Sequence, residues 1–208
     1  MTDGKTFNEL MDELLVDGYT VNYINRYLNK RFEAMRPKFQ KVPFGQFFMD
    51  WIEMFDGEWD ADNQHDVSDI NYIYDNIKLP ERSTSRSAGY DFVSPLNFVL
   101  SPGESIMIPT GIRAVMADNT VLMIFPRSGL GTKHQLVLTN STAIIDADYA
   151  DADNYGHIML KMVNKGDERV TIEQGQKFAQ GVFLPYLAVQ GDDASGARTG
   201  GFGSTDGK

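Results

Sequence analysis

The feature that most restricts the fold of this chain is a series of short β-type runs that begins near Ile77. Turn signals such as Ser101-Pro102-Gly103-Glu104 and Glu173-Gln174-Gly175-Gln176 separate these runs. Many short strands at this spacing are typical of an all-β sandwich or barrel. The runs lie at residues 92–93, 98–100, 105–108, 121–125, 136–139, 158–163, 170–172 and 178–184.

The first 55 residues follow another pattern, because their apolar residues recur at helical intervals. We expect a first helix that is broken at Asp17-Gly18, a second that has its N-cap at Thr20 and ends at Arg36-Pro37, and a third from Pro43 to Phe55. The aromatic residues of the third helix are expected to pack in a core or a subunit contact. They are Phe44, Phe47, Phe48, Trp51 and Phe55.

Residues 50–75 contain nine acidic residues and neither lysine nor arginine. This composition predicts a solvated linker or an exposed face, and its spacing does not resemble a cation-binding loop. We therefore divide the chain into a helical N-terminal extension, residues 1–75, whose role stays open, and a mainly β domain, residues 76–208.

The formal net charge of −10 argues against a nucleic-acid polymer as partner, because phosphate-backbone binding requires clustered lysine and arginine. The chain has no cysteine, which excludes disulfides, thiolate metal sites and cysteine nucleophiles. Its first residues do not resemble a signal peptide, and no apolar stretch approaches the length that spans a bilayer. We expect a soluble cytoplasmic protein without membrane association.

Two segments offer groups that suit a phosphorylated ligand. In Pro126-Arg127-Ser128-Gly129 the arginine supplies a planar donor fork, the serine a hydroxyl, and the glycine close access to backbone N–H groups. The alternative is a hairpin turn with an exposed charge. Ala88-Gly89-Tyr90-Asp91 supplies a carboxylate that suits a hydrated Mg²⁺ shared with substrate phosphates, or else a structural aspartate in a glycine turn.

Two further segments carry polar groups at strand positions. Asp146 follows two isoleucines, so we expect it to leave a buried strand into a cleft, where an acid can act as general base on water. A surface acid at a strand end is the alternative, and we assign Asp148 to that class. Gln180 shares a strand face with Phe178, so its amide is expected to line the site.

The C-terminal segment from Arg198 to Thr205 combines an arginine, several small residues and one aromatic ring, Phe202. A disordered linker is the simple alternative for a chain terminus. A linker, however, needs neither the ring nor the arginine. Phe202 lies among glycines, so it can pack only if the tail folds down over something.

Taken in order, these five segments resemble those of the trimeric dUTP diphosphatase (dUTPase) family over about residues 77–208. They read Ala-Gly-Tyr-Asp, Pro-Arg-Ser-Gly-Leu, Ile-Asp-x-Asp-Tyr, Ala-Gln and Gly-Gly-Phe-Gly-Ser-Thr. The resemblance implies a jelly-roll-like (β-clip) domain that forms a homotrimer, with each active site assembled from three chains. It also implies an enzyme that cleaves dUTP into dUMP and pyrophosphate.

The resemblance further implies a role for each site residue. Asp146 orients and deprotonates the attacking water, and Asp91 holds Mg²⁺ through water. Tyr149 packs against the sugar and excludes a ribose 2′-hydroxyl, whereas Phe202 stacks on uracil. Backbone groups in the turn from Asn140 to Ile145 read the base; the residues assigned to it are Asn140, Ile144 and Ile145. The residues expected near the phosphates are Arg127, Ser128, Gly129, Gln180, Arg198, Gly203, Ser204 and Thr205. The last four belong to a C-terminal lid, residues 197–208, that closes over the phosphates.

The sequence departs from the family pattern at two places. The family commonly has Arg-Gly directly after the Asp-Tyr pair, whereas here the acidic segment 150–154 and Tyr155 precede Gly156. The contacts of that arginine are therefore not carried over. Ala143 stands where many relatives have glycine.

Two alternative functions stay open at this point. Deoxycytidine triphosphate deaminases share the fold, although Gly129-Leu130, Tyr149 and the complete tail look like dUTPase features. A nucleotide-sensing regulatory protein would use residues 1–75 or 150–154 to bind a protein partner. Ammonia release would identify the first alternative, and dUTP binding without pyrophosphate release the second.

Overall fold

The computed structural model describes residues 7–23, 26, 36–55, 67–196, 198 and 200. The chain divides into two compact units, Met1–Pro37 and Lys38–Lys208. In the first unit, helix α1 spans Phe7–Val16 and residues 21–23 are helical. The Tyr23 N–H donates to Thr20 Oγ1 at 3.3 Å, so the predicted cap is confirmed. Most of the predicted second helix, residues 27–35, lies outside the described residues.

The described part of the second unit contains twelve strands. They are β1 Lys38–Lys41, β2 Glu81–Arg82, β3 Tyr90–Val93, β4 Phe98–Leu100, β5 Ser105–Pro109, β6 Ile112–Val115, β7 Thr120–Pro126, β8 Leu136–Leu138, β9 Ala143–Ile145, β10 Met159–Asn164, β11 Val170–Ile172 and β12 Lys177–Pro185. All eight runs predicted from the sequence are strands.

Every strand pair is antiparallel. One sheet has the order β2-β3-β12-β7-β9, a second has β5-β10-β8, and two further pairs are β1-β6 and β11-β4. Strands β1 and β6 were not predicted, and they pair with each other, so each depends on a partner distant in sequence. The mainly β, jelly-roll-like fold with an α-helical N-terminal part is confirmed.

Two helices of the second unit precede the main β region. Helix α2 spans Phe44–Phe55, and its buried residues Phe47, Trp51 and Phe55 recur at every fourth position and line one face. Helix α3 spans Val67–Asp75 and buries Ile70 completely. The predicted core role of the aromatic stripe is confirmed.

Of the two predictions for residues 50–75, the solvated linker is wrong for α2 and α3, whereas the exposed face is correct for the acidic side of α3. Acidic side chains of α3, such as Asp69 and Asp75, are exposed, but the opposite face packs on the core. The many acidic residues of the stretch 50–75 obscured the helical pattern of α3, because the apolar face of this helix is narrow. Residues 56–66 lie outside the described residues.

The turn between β5 and β6 shows how closely α2 packs. Gly111 has φ +70°, and a Cβ there would lie 2.2 Å from Ile77 Cδ1 and 3.3 Å from the Phe47 ring. Its carbonyl oxygen accepts the Val42 N–H at 3.0 Å. Residues 38–55 and the β region therefore fold as one packed body.

A short helix, α4, spans Ser128–His134 directly after β7. The glycine-rich segment that was expected to cradle phosphate is thus helical from Ser128 onward, and Gln135 ends the helix with φ 51°. Within the described chain, no helix has the length and apolar character needed to cross a membrane.

Candidate active site

The first group of predicted site residues lies where β3, β12 and β7 meet. Gln180 is paired with Asp91 on one side and with Phe125 on the other. Because directly paired residues project from the same face of a sheet, Gln180 and Asp91 lie side by side. Gln180 Nε2 donates to the Pro126 carbonyl at 3.3 Å. A Cβ on Gly89 would lie 2.8 Å from Gln180 Oε1, so the glycine makes room for this amide.

Asp91 is the centre of a charge cluster. Its side chain is 8% exposed, and its Oδ2 accepts from Lys177 Nζ at 2.7 Å and from Ser83 Oγ at 2.7 Å. Its Oδ1 lies 3.3 Å from Arg127 Nε. The carboxylate therefore ties β3 to the end of β7 and the start of β12.

The environment of Asp91 stabilises its ionised form. Burial acts to raise the pKa of Asp91, but hydrogen bonds from Lys177 and Ser83 and the charge of Arg127 outweigh it. The pKa of Asp91 consequently lies below its usual value of 3.8. The side chain is a carboxylate at neutral pH.

A cleft of about 630 Å³ adjoins this cluster. Ser128 and Gly129 are exposed on its wall, at the start of α4. Its lining is rich in cationic and donor groups, although the chain as a whole is acidic. The lining residues are Arg127, Ser128, Gly129, Leu130, Lys133, His134, Gln176 and Lys177. A positively lined cleft of this kind attracts phosphate groups.

The second group of predicted residues lies at the far end of β9. Asp146 follows β9 and precedes the 3₁₀ helix Ala147–Asp151. Its side chain is 52% exposed, and Arg198 Nη2 lies 2.5 Å from its Oδ2. Arg198 Nε also donates to Asp148 Oδ1 at 2.9 Å. The exposed Asp148 thus shares a cation with Asp146.

Tyr149, on the 3₁₀ helix, is buried, and its hydroxyl both donates and accepts a hydrogen bond. The hydroxyl donates to the His157 carbonyl at 2.8 Å and accepts from Asn154 Nδ2 at 2.9 Å. The Arg198 guanidinium lies 5.5 Å from the centre of the ring. Burial is the main cause that raises the pKa of Tyr149, so its hydroxyl stays protonated at neutral pH.

The acidic segment 150–154 is a folded part of this end of the site. Ala150 and Ala152 are buried, whereas Asp151 and Asp153 are exposed. Arg113 Nη2 donates to the Ala150 carbonyl at 2.7 Å, which joins the segment to β6.

The turn expected to read uracil leads into an edge strand. Ser141 has φ 66°, and the Thr142 N–H donates to the Asn140 carbonyl at 2.7 Å. Strand β9 ends its sheet and, in the described structure, pairs with β7 alone, so its outer edge presents backbone groups. Ile145 points into the core, whereas Ile144 is exposed.

The two groups lie at opposite ends of the β7–β9 pair. Ile145 is opposite Leu122, so Asp146 lies near the start of β7, whereas Arg127 follows its end. At about 3.4 Å per residue, Leu122 and Arg127 are roughly 17 Å apart. One chain therefore assembles each group but does not bring Asp146 to Arg127.

Sequence reasoning missed two residues that contact Asp91. Lys177 lies three residues before Gln180, so its charge beside that motif was an available signal. Ser83 lies in a polar stretch that carried no such signal, and only the pairing of β2 with β3 brings it close. Phe202, Gly203, Ser204 and Thr205 lie outside the described residues.

Comparison with known proteins assigns the β region. A family model described as dUTPase matches residues 75–206. The deoxyuridine 5′-triphosphate nucleotidohydrolase of Lactococcus lactis subsp. lactis (strain IL1403) is 46% identical over 132 residues, covering 62% of this chain and 88% of the relative. The protein of the same name from Escherichia coli (strain K12 / DH10B) is 39% identical over 133 residues, covering 60% and 85%.

A solved structure agrees with this assignment. The crystal structure of dUTPase from Streptococcus mutans matches with a TM-score of 0.50 and 38% identity, covering 64% of this chain and 98% of that chain. The family match begins at residue 75, so β1 and α2 precede it. Because the match spans more than half of the chain, the chain belongs to the dUTPase family.

Proposed function

We propose that this protein is a homotrimeric, Mg²⁺-dependent dUTP diphosphatase in which Asp146 activates the water that attacks the α-phosphorus. Hydrolysis of dUTP follows from the family and from the names of its relatives. The observation that carries the assignment of residues is the presence of two separate groups, a cationic cleft and an exposed carboxylate beside a buried tyrosine.

The cleft supplies the phosphate contacts in this proposal. Asp91 engages the Nε side of Arg127 at 3.3 Å, which leaves the terminal nitrogens for phosphate oxygens. Arg127 is thus held in place before the substrate arrives, and this lowers the cost of ordering it. Ser128 and Gly129 add donors from the start of α4, and Gln180 serves the α-phosphate.

Asp146 supplies the base. Water forms a bond to the α-phosphorus while the bond from that phosphorus to the bridging oxygen breaks, and the proton of the water passes to the Asp146 carboxylate. The half-exposed position of Asp146 gives water access. Arg198 neutralises this carboxylate in the structure, so phosphate binding must draw Arg198 away to free the base.

The donor set at Asp91 fits a water-mediated Mg²⁺ contact. The carboxylate is ionised, and among the described residues its Oδ1 contacts Arg127 alone, at 3.3 Å, so it can also accept a hydrogen bond from metal-bound water. Mg²⁺ commonly shares one or two carboxylates with substrate phosphates and waters. When bound, the ion neutralises phosphate charge.

The nucleoside end selects the base and the sugar. The Tyr149 ring packs against deoxyribose at the face that Arg198 now covers, and a 2′-hydroxyl does not fit there. The exposed edge of β9, which follows the turn at Asn140 and includes Ile144 and Ile145, supplies backbone donors and acceptors for uracil. Phe202 stacks on the base, and Arg198, Gly203, Ser204 and Thr205 close over the phosphates.

The separation of the two groups supports sites that are shared between subunits. Closed rings of identical chains bring different surfaces of neighbours together. A second chain is therefore expected to place its Asp146 group beside the Arg127 group of the first. In this arrangement residues 76–208 carry the catalytic and binding residues, and residues 197–208 form the lid. We also place the enzyme in the cytoplasm, since a chain without cysteine needs no oxidising compartment.

Mixing two inactive variants tests this assembly. Arg127→Ala and Asp146→Asn each remove one group, so neither homotrimer should turn over dUTP. When the two chains are refolded together, about one quarter of the sites should combine two intact groups and regain activity. Mixtures that stay inactive despite formation of mixed trimers would refute shared sites.

Product analysis tests the reaction itself. Wild-type protein is incubated with dUTP and, separately, with dCTP in the presence of Mg²⁺. We expect pyrophosphate and dUMP from dUTP and no ammonia from dCTP. Ammonia release would identify a deaminase, and binding of dUTP without pyrophosphate release would identify a regulatory protein.

A further inference from the structure

A carboxylate of α2 reaches the interior of the β region from outside the range that the family model matches. Asp50 Oδ2 lies 2.5 Å from Nδ1 of His157, whose side chain is completely buried. Gln46, one turn earlier on α2, donates to the other oxygen of Asp50 at 2.9 Å. These contacts hold the carboxylate in a single orientation.

The partners of His157 define its tautomer. The backbone N–H of Gly111 can only donate, and it lies 2.7 Å from Nε2. Nε2 is therefore the acceptor, so the hydrogen is on Nδ1 and is donated to Asp50. The imidazole is clamped between α2 and the β5–β6 turn, with the Phe47 ring 6.1 Å from it.

The backbone of His157 leads directly to Tyr149. Its carbonyl oxygen accepts the Tyr149 hydroxyl at 2.8 Å. The intervening chain is tightly closed, because Gly156 has φ +71° and a Cβ there would lie 2.7 Å from the Tyr149 carbonyl. A displacement of the His157 ring is thus transmitted to the oxygen that holds Tyr149.

We infer that Asp50 is a positioning residue that orients Tyr149 through His157, so that α2 helps to set the discrimination between deoxyribose and ribose triphosphates. The inference rests on the role proposed for Tyr149. The Asp50 side chain is 15% exposed, so the carboxylate is largely removed from water. A charge in this position is costly as mere filling, since an apolar side chain would occupy the same space without desolvating a charge. Its hydrogen bond to the imidazole N–H instead fixes the ring orientation, as partners of functional histidines commonly do.

The test compares two substrates in the same enzyme preparation. For each variant, kcat/KM is measured for dUTP and for UTP, and their ratio is taken as the selectivity. We expect Asp50→Ala to lower this ratio about tenfold, chiefly through a higher KM for dUTP, because one strong hydrogen bond is lost. Asp50→Asn retains an acceptor for the Nδ1 hydrogen and should recover most of the ratio.

The ratio separates positioning from folding. Only folded molecules turn over, so partial unfolding lowers both rates equally and leaves the selectivity unchanged. Glu53→Ala, on the exposed face of the same helix, is the matched control and should retain the wild-type ratio. An Asp50→Ala enzyme with wild-type selectivity would overturn the inference.

A double-mutant cycle identifies the route of the effect. Tyr149→Phe removes the hydroxyl that links Tyr149 to His157. If Asp50 acts through this link, adding Asp50→Ala to Tyr149→Phe should change the ratio by less than about twofold. A further tenfold loss would show that Asp50 acts by another route. Failure of wild-type enzyme to hydrolyse dUTP would refute the proposed function, a separate result.

Discussion

The two ends of the candidate site achieve their order by different physical means. At the phosphate end, a nearly buried carboxylate, Asp91, holds two cations and a hydroxyl within one chain. At the other end, Asp146, the proposed base, is half exposed, and its neutralising arginine comes from the C-terminal segment. The first arrangement is suited to a fixed cradle, whereas the second can be opened and closed.

This difference follows from where each group lies in the fold. Asp91 and Gln180 are on adjacent strands inside a sheet, whose ladder keeps them in register. Asp146 lies beyond an edge strand, where a partner from another chain has access. In the proposed function the rigid end binds the phosphates, and the accessible end carries the base and closes only when substrate is present. Five experiments test this comparison.

The largest effect should come from deleting residues 1–75, which should unfold the β region and so disrupt both the Asp91 and the Asp146 ends of the site. The deletion removes β1 and the buried residues Phe47, Trp51, Phe55 and Ile70. Burial of these side chains contributes on the order of 10 kcal/mol, comparable with the whole stability of a domain. Deletion of residues 1–37 removes only the first compact unit and should leave dUTP turnover unchanged. Circular dichroism, light scattering and pyrophosphate release measure the outcomes, and a folded, active 76–208 fragment would contradict us.

Asp146→Asn should lower kcat by about a thousandfold or more while dUTP binding stays within a few fold, because the amide cannot take the proton. Asp148→Asn is the matched control, since Asp148 is similarly exposed and shares Arg198. The control should lose only a few fold in activity. Stopped-flow kinetics measures kcat, and calorimetry measures the affinity for dUTP. A near-normal kcat for Asp146→Asn would exclude Asp146 as the general base.

Removal of residues 197–208 should reduce turnover about a hundredfold, because the site then stays open to water. The trimer mass and thermal stability should remain close to those of the full chain. Light scattering and steady-state kinetics test both parts. Full activity in the truncated enzyme would show that the nucleoside end does not depend on the tail.

Arg127→Lys should reduce kcat/KM about tenfold, since the charge is kept but the planar donor fork is lost. We expect this loss because the ammonium group of lysine cannot bind Asp91 and a phosphate oxygen in the geometry that the guanidinium of Arg127 provides. Lys133→Arg, at another cation that lines the cleft, serves as a control with an intact cluster. Equal kinetics for wild type and Arg127→Lys would argue against a preorganised cradle.

The smallest effect concerns stability, where Asp91→Asn should lower the free energy of unfolding by about 1–2 kcal/mol at neutral pH. The pKa of Asp91 is lowered in the folded state, so its contribution is present above the unfolded value of 3.8 and is lost as pH falls through the folded value. The difference in Tm between wild type and variant should therefore narrow below about pH 4. Thermal unfolding of both proteins across this pH range measures the difference in Tm. A difference that grows on acidification would contradict the stabilising role of the Asp91 carboxylate.

Much of the fold was open to prediction from local pattern. The turn residues and short apolar runs that define strands such as β7 and β10 are close together in sequence, and all eight predicted runs are strands. Strands β1 and β6 escaped prediction because their conformation depends on pairing across more than seventy residues. The helix α3 was not predicted because it lies in the acidic stretch of residues 50–75 and because Ile70 is its one fully buried residue.

The sequence by itself determined the chemistry of this protein, since the identities of Asp91, Arg127, Asp146, Tyr149 and Gln180 and their order along the chain carry the family resemblance. Only the tertiary structure decided how these groups are distributed. Strand register separates Arg127 from Asp146, and helix packing brings Asp50 to His157 across 107 positions. Such contacts depend on the mutual arrangement of whole elements, which no local spacing encodes.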